Sequence, residues 1–261
     1  MTELLDLRRP RDLSALVGET FRVWAGHAPV FLALAFVFVA PAVILVDGIW
    51  VGAWRDPEAT NATADAVSQV LFTLVIPPLI TAVHVVAVVD LSEGRAPAVG
   101  RSLRAALALA LPLVAATCLY TLLVGIGLIA LIIPGIWLGV ACYFTAQHVA
   151  YERTSAVTAV RESMALVTGH WWWTFGVLLV VGLLLALSGG MVGLVGVVAG
   201  VIIGGVAGGV ILIVTMTIVQ TALYSLGALA GTLLYFSLRA QGDRDVPVPA
   251  PGPFGPVPER P

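Results

Sequence analysis

Residues 163–238 read SMALVTGHWWWTFGVLLVVGLLLALSGGMVGLVGVVAGVIIGGVAGGVILIVTMTIVQTALYSLGALAGTLLYFSL, with no Asp, Glu, Lys or Arg among them. About 20 apolar residues in a helix cross the hydrocarbon of a bilayer, so this stretch holds two long spans or three short ones. Within lipid the backbone has to satisfy its own hydrogen bonds, which makes helices the expected form. The run is too continuously apolar for the alternation of barrel strands. The rest of the chain agrees. It is 59% hydrophobic and 11% charged, against about 25% charge in a soluble domain. The sequence therefore predicts an all-α integral membrane protein. Its spans fall near 29–49, 67–89, 106–128, 131–150, 171–191 and 210–235.

Arginine sets the expected topology. All 13 basic residues are arginine. Arg8, Arg9, Arg11 and Arg22 precede the first span, Arg95, Arg101 and Arg104 fill the second connection, and Arg153 and Arg161 the fourth. Arg239, Arg244 and Arg260 follow the last span, and only Arg55 falls on the other side. Cytoplasmic loops concentrate Lys and Arg. The reading is thus an even number of spans in a plasma membrane with both termini cytoplasmic, and Arg239 and Arg244 favour two spans in 163–238. Trp24 and Trp171, Trp172 and Trp173 are expected at inner boundaries, and Trp50, Trp54 and Trp137 at outer ones. The absence of lysine and the Ala, Val, Gly and Leu bias suggest a high-GC bacterial source. The first apolar run reads as a retained span rather than a signal peptide.

Three domains follow. Residues 1–28 are a cytoplasmic N-terminus with an interfacial helix, 29–238 a polytopic transmembrane domain, and 239–261 a disordered Pro-rich cytoplasmic tail. An internal repeat subdivides the middle. Glu19-Thr20-Phe21 with Gly26-His27 matches Glu162-Ser163-Met164 with Gly169-His170, and Arg101-Ser102-Leu103-Arg104 holds the equivalent place before another span. Leu13, Leu16, Val17 and Trp24 share one helical face. Val157, Val160, Met164 and Val167 share another, with Arg161 and Glu162 turned away. This is the pattern of helices lying in the interface plane. The chain reads as three units, each an interfacial helix followed by two spans. Gly196, Gly200, Gly204 and Gly208 form a small-residue stripe for close helix packing.

Five arginines of the inner segments, Arg22, Arg101, Arg104, Arg153 and Arg161, are candidate contacts for lipid headgroups, because guanidinium binds phosphate bidentately. His84, Gln147, His148 and Gln220 form a candidate intramembrane polar site, since burial of a charged group costs several kcal/mol there. His27 and His170 read as interface residues. Cys118 and Cys142 lack the spacing of a zinc site or disulfide framework. No Ser/His/Asp set, P-loop, HExxH or paired carboxylates occurs. The sequence predicts no catalytic residue, no cofactor, no metal and no nucleic-acid partner. Asn61-Ala62-Thr63 fits a sequon, without expected consequence in a bacterial protein.

Three stretches carry a family resemblance. They are Ile133-Pro134-Gly135-Ile136-Trp137; then Tyr151-Glu152-Arg153 with Ala159-Val160-Arg161-Glu162-Ser163, Leu166-Val167-Thr168-Gly169, Trp172 and Phe175-Gly176; and Leu234-Tyr235-Phe236-Ser237-Leu238-Arg239. Over residues 10–240 the chain resembles the glycerophosphoryl diester phosphodiesterase membrane-domain family. Ser237 stands where that family usually has an acid, and Gln241 lies where a second basic residue is usual. The resemblance implies a membrane-embedded accessory role, since the phosphodiesterase chemistry of fused members belongs to a separate soluble domain. The expected function is a non-enzymatic component that binds membrane lipids or scaffolds a membrane or cytoplasmic protein. The alternative is a transporter or permease, with Pro77-Pro78, Pro112 and Pro134-Gly135 breaking spans.

Overall fold

A computed structural model describes residues 5–53, 66, 67 and 69–245, with backbone alone for 45–53 and 243–245. The sequon, Trp54, Arg55 and the proline-rich tail lie outside these residues. Among the described residues every regular element is helical: α1 (Leu13–Gly26), α2 (Ala28–Ala53), α3 (Ile76–Ser92), α4 (Val99–Ala108), α5 (Ala110–Ala130), α6 (Ile132–Ala141), α7 (Thr145–Glu152), α8 (Ala156–Val167), α9 (Trp171–Ile203) and α10 (Gly205–Asp245). A π-helical turn, Leu71–Val75, leads into α3.

Five runs are long and apolar enough to cross a membrane: Leu71–Ser92, Ala110–Ala130, Ile132–Glu152, Trp171–Ile203 and Gly205–Gly242. A sixth is reached if Leu13–Gly26 and Ala28–Ile44, bent by 88° at His27, are taken together. Much of the apolar surface faces outward. Ile129 is 88% exposed and Val206 82%, and only 11% of the most apolar stretch of α9 is buried. A soluble protein does not leave such continuous apolar surface in water.

The last hairpin differs from the expected spans 171–191 and 210–235. α9 has 33 residues and α10 has 41, roughly 50 and 60 Å at 1.5 Å per residue. Such helices cross about 30 Å of hydrocarbon only by tilting or by extending past it. The connection collapses to Gly204 and Gly205, both at positive φ, where a side chain is strained. The expected stripe Gly196-Gly200-Gly204-Gly208 is therefore split between two helices. The stripe buried on α9 is Gly189, Gly193, Gly196 and Gly200. It faces Leu223, Met216, Thr215, Leu212 and Gly208 of α10. Lipid is as apolar as leucine, so close backbone approach rather than water exclusion holds such a pair together.

α10 is the central post, packed against α9, α2, α3 and α1. Its residues 229–238 are buried on all sides, as expected of a helix apolar all round. The prolines do not break spans. Pro77 and Pro78 occupy the first turn of α3, and Pro112 and Pro134 are third residues of α5 and α6, places where a missing N–H costs nothing. The break falls instead at residues 142–144, between α6 and α7. There Ser163 of α8 accepts from the Phe144 amide at 3.0 Å and donates to the Ala141 carbonyl at 2.9 Å. It satisfies two of the backbone groups that a helix end leaves open.

That bond corrects the reading of α8. Its buried face is Ala159, Val160, Ser163 and Val167, while Val157 is exposed. α8 packs on α5 and α7, and Glu162, off the buried face, stands 3.6 Å from His148 of α7. The tryptophan assignment is corrected too. Trp171 Nε1 donates to the Trp137 carbonyl at 3.2 Å, which brings together residues expected at opposite boundaries.

Candidate functional site

Charged and polar side chains gather where α1, the C-terminal ends of α3, α7 and α10, and the helices α4 and α8 meet. The Asp90 carboxylate is 3% exposed. Arg95 donates to one of its oxygens at 3.1 Å, and Arg101 to the other at 3.0 and 2.5 Å. A buried carboxylate is tolerated when such charge-assisted bonds fill its lone pairs. The bond to Asp90 also raises the pKa of Arg95, against a smaller opposing effect of desolvation. Arg95 pairs further with Glu93. Arg101, expected to meet lipid headgroups, bonds Asp90 while its side chain stays 46% exposed.

Arg11 is buried and bonds Glu19 at 2.5 and 3.1 Å. Its amide donates to Ser237 Oγ at 2.8 Å, so Ser237 tethers the N-terminal segment to α10. Arg22, Arg104, Arg153 and Arg161 are exposed. Arg153 adopts φ 56° and closes α7.

His148, Glu152, Glu162, Tyr235 and Arg239 form the densest cluster. His148 is 5% exposed, and its Nδ1 lies 3.4 Å from Glu152 and 3.6 Å from Glu162. Tyr235 donates to Glu152 at 3.0 Å and lies 3.4 Å from His148 Nδ1. Arg239 pairs with Glu152, bonds the Tyr235 oxygen at 2.9 Å and stacks over the Tyr151 and Tyr235 rings. Donor atoms of His148, Glu152 and Glu162 lie within 4.8 Å of one another. The sequence contained no recognisable metal spacing because two of these residues are on α7 and the third on α8. Glu152, Glu162, Tyr235 and Arg239 were not among the candidate site residues. The available signal was a pair of four-residue spacings, His148 to Glu152 and Tyr235 to Arg239, which put each pair on one helical face.

The expected polar site does not assemble. His84 is fully buried, bonded to the Ile80 carbonyl at 2.8 Å and to Ser225 at 3.1 Å, and stacked on Phe31. Trp24 donates to the same Ser225 oxygen at 3.0 Å. Ser225 also donates to the Phe31 carbonyl at 3.2 Å and thereby locks α1, α2 and α3 to α10. It precedes Tyr235 by about 15 Å along the helix, so the two histidines occupy separate places. Gln147 lies against Gly231, and its Oε1 and that of Gln220 are enclosed without a hydrogen-bond partner.

An apolar crevice of about 470 Å³ opens between α1, α9 and α10, within the usual range for small-molecule sites. Val17 and Phe21 of α1, Val181, Leu185 and Val192 of α9 and Leu226 of α10 line it. Its hydroxyls are already used. Thr20 donates to Leu16, and Ser188 to Leu184 and Leu185. A smaller apolar cavity continues it inward past Leu16 to Tyr143, Gly227 and Gly231. The buried glycine stripe of α9 ends at Gly189, which itself lines the crevice with Leu185 and Val192. The crevice was not visible in sequence, because it is made by the absence of contact.

No family model, curated protein or solved structure matches this chain.

Proposed function

We propose that this chain is a non-enzymatic multi-pass component of the bacterial plasma membrane that holds the hydrocarbon chain of a lipid between α1, α9 and α10. The crevice carries this reading. Its walls are aliphatic and aromatic, and its hydroxyls are bonded to their own helices, so nothing in it selects a polar ligand. Arg22, Arg104, Arg153 and Arg161 supply exposed guanidinium groups suited to phosphate.

The same proposal places both termini in the cytoplasm, on the strength of the arginine distribution, and treats α1, α4 and α8 as interfacial helices of three repeated units. In support, each precedes a long helix after a short break: His27 alone, Leu109 alone, or residues 168–170. In each the equivalent hydroxyl residue, Thr20, Ser102 or Ser163, is buried. α1 lies at 88° to the helix that follows. The motifs quoted above keep the resemblance to the phosphodiesterase membrane-domain family as part of this reading, with an accessory role in the membrane.

Photoactivatable phospholipids carrying a diazirine on the acyl chain test it. In vesicles the wild-type chain is expected to crosslink at Leu185, Val192 and Leu226, and Leu226→Trp, which fills the crevice, to abolish that labelling. Uniform labelling along the outer faces of α5 and α9, unchanged by Leu226→Trp, overturns the proposal.

A further inference from the structure

We infer that His148, Glu152 and Glu162 form a binding site for one divalent first-row metal ion, which would clamp α8 onto α7. The inference does not rest on lipid binding. Donors 2.1 Å from a common tetrahedral centre stand about 3.4 Å apart. His148 Nδ1 stands 3.4 Å from Glu152 Oε1 and 3.6 Å from Glu162 Oε2, beyond the 2.9–3.0 Å typical of an N–H···O bond. The nitrogen faces three oxygens, the third being Tyr235 Oη at 3.4 Å. Such a grouping needs a proton or a cation at its centre.

Three further observations favour the metal. Glu162 Oε2 is enclosed and makes no hydrogen bond, so it has an open lone pair directed at the histidine. Arg239 pairs with Glu152, while among the described residues Glu162 is paired with no arginine, so its carboxylate is left without a balancing guanidinium. Tyr235 and Arg239 bond the same Glu152 oxygen, Oε1, that faces His148, and so fix the orientation of that carboxylate, as outer-shell partners do for a metal's ligands. One imidazole and two carboxylates suit Zn²⁺, Mn²⁺ or Fe²⁺ better than thiophilic ions. Glu152 and Glu162 are 26% and 37% exposed, so water completes the coordination from the open side.

The test uses the full chain purified in detergent after chelator treatment, titrated with Mn²⁺ by electron paramagnetic resonance and with Zn²⁺ against a chromophoric chelator. One equivalent per chain is expected, with an unfolding temperature that rises with metal concentration. Glu162→Gln is the informative variant, because Glu162 Oε2, the oxygen facing His148, has no hydrogen-bond partner among the described residues. It is expected to unfold like the wild type without metal and to bind at least tenfold more weakly. His148→Ala should also abolish binding, while Glu93→Gln should leave it intact. Absence of saturable one-to-one binding, or equal affinity in Glu162→Gln, overturns the site and assigns the central position to a proton.

Discussion

The Ser163 hydroxyl holds the Phe144 amide at 3.0 Å across the break between two helices, and returns its own proton to Ala141. Ser163→Ala removes acceptor and donor together and leaves a buried N–H and C=O open. Each open group costs about 1–3 kcal/mol, so a fall in unfolding temperature is expected, measured by scanning fluorimetry of the purified protein. Ser163→Ala with wild-type stability would mean that another group serves the break.

That bond also explains where sequence reading stopped. The helical, multi-span nature of the chain was legible, with five or six runs long and apolar enough to cross a membrane, because continuous apolar runs have one stable form in lipid. The orientation of α8 was not. Of its expected stripe, Val160 and Val167 are buried but Val157 is exposed, and the face packed on α5 and α7 takes in Ala159 and Ser163, which leaves Glu162 beside His148. The bond from Arg101 to Asp90, eleven residues away, was not visible in sequence either. His148 was recognised as buried and polar. Its partners come from three helices whose packing no local pattern encodes.

Arg101 and Arg104 should separate cleanly. Arg101 fills one oxygen of the buried Asp90, so Arg101→Ala is expected to destabilise by about 1.5–3 kcal/mol, the range for a hydrogen bond to a charged group. Arg104 is exposed, and Arg104→Ala should leave the unfolding temperature unchanged while reducing anionic lipid retained in native mass spectrometry. Equal melting shifts in the two variants would contradict the assignment.

Asp12 caps α1 by accepting from the Ala15 amide at 2.7 Å, and that bond, with help from Ser14, holds its pKa below the ordinary 3.8. A group whose pKa is lowered on folding stabilises the fold above its unfolded value, and that contribution disappears as pH falls through the folded value. Asp12→Asn keeps a capping oxygen without the titration. The stability difference between wild type and variant is therefore expected to be constant above about pH 5 and to shrink below pH 3.8. Thermal unfolding across this range checks it, and a difference that grows on acidification would contradict it.

The α9–α10 hairpin offers a paired test of close packing. A Cβ on Gly200 would lie 2.6 Å from Leu212 Cγ and 3.0 Å from the Gly208 carbonyl. The carbonyl belongs to the backbone of α10 and cannot rotate aside, so the helices must separate. Gly200→Val is expected to cost about 1–3 kcal/mol, as for an overpacked core, and to loosen the neighbouring contact of Gly196 with Thr215. Gly190 stands one residue from the stripe, with nothing within 4 Å of an added Cβ. Gly190→Ala should raise stability by about 0.5–1 kcal/mol through reduced backbone freedom. Opposite signs at two glycines ten residues apart are the mark of a helix pair held by one face. If unfolding in detergent showed both variants neutral, α9 and α10 would not be held by this stripe, and the crevice that depends on it would lose its upper boundary.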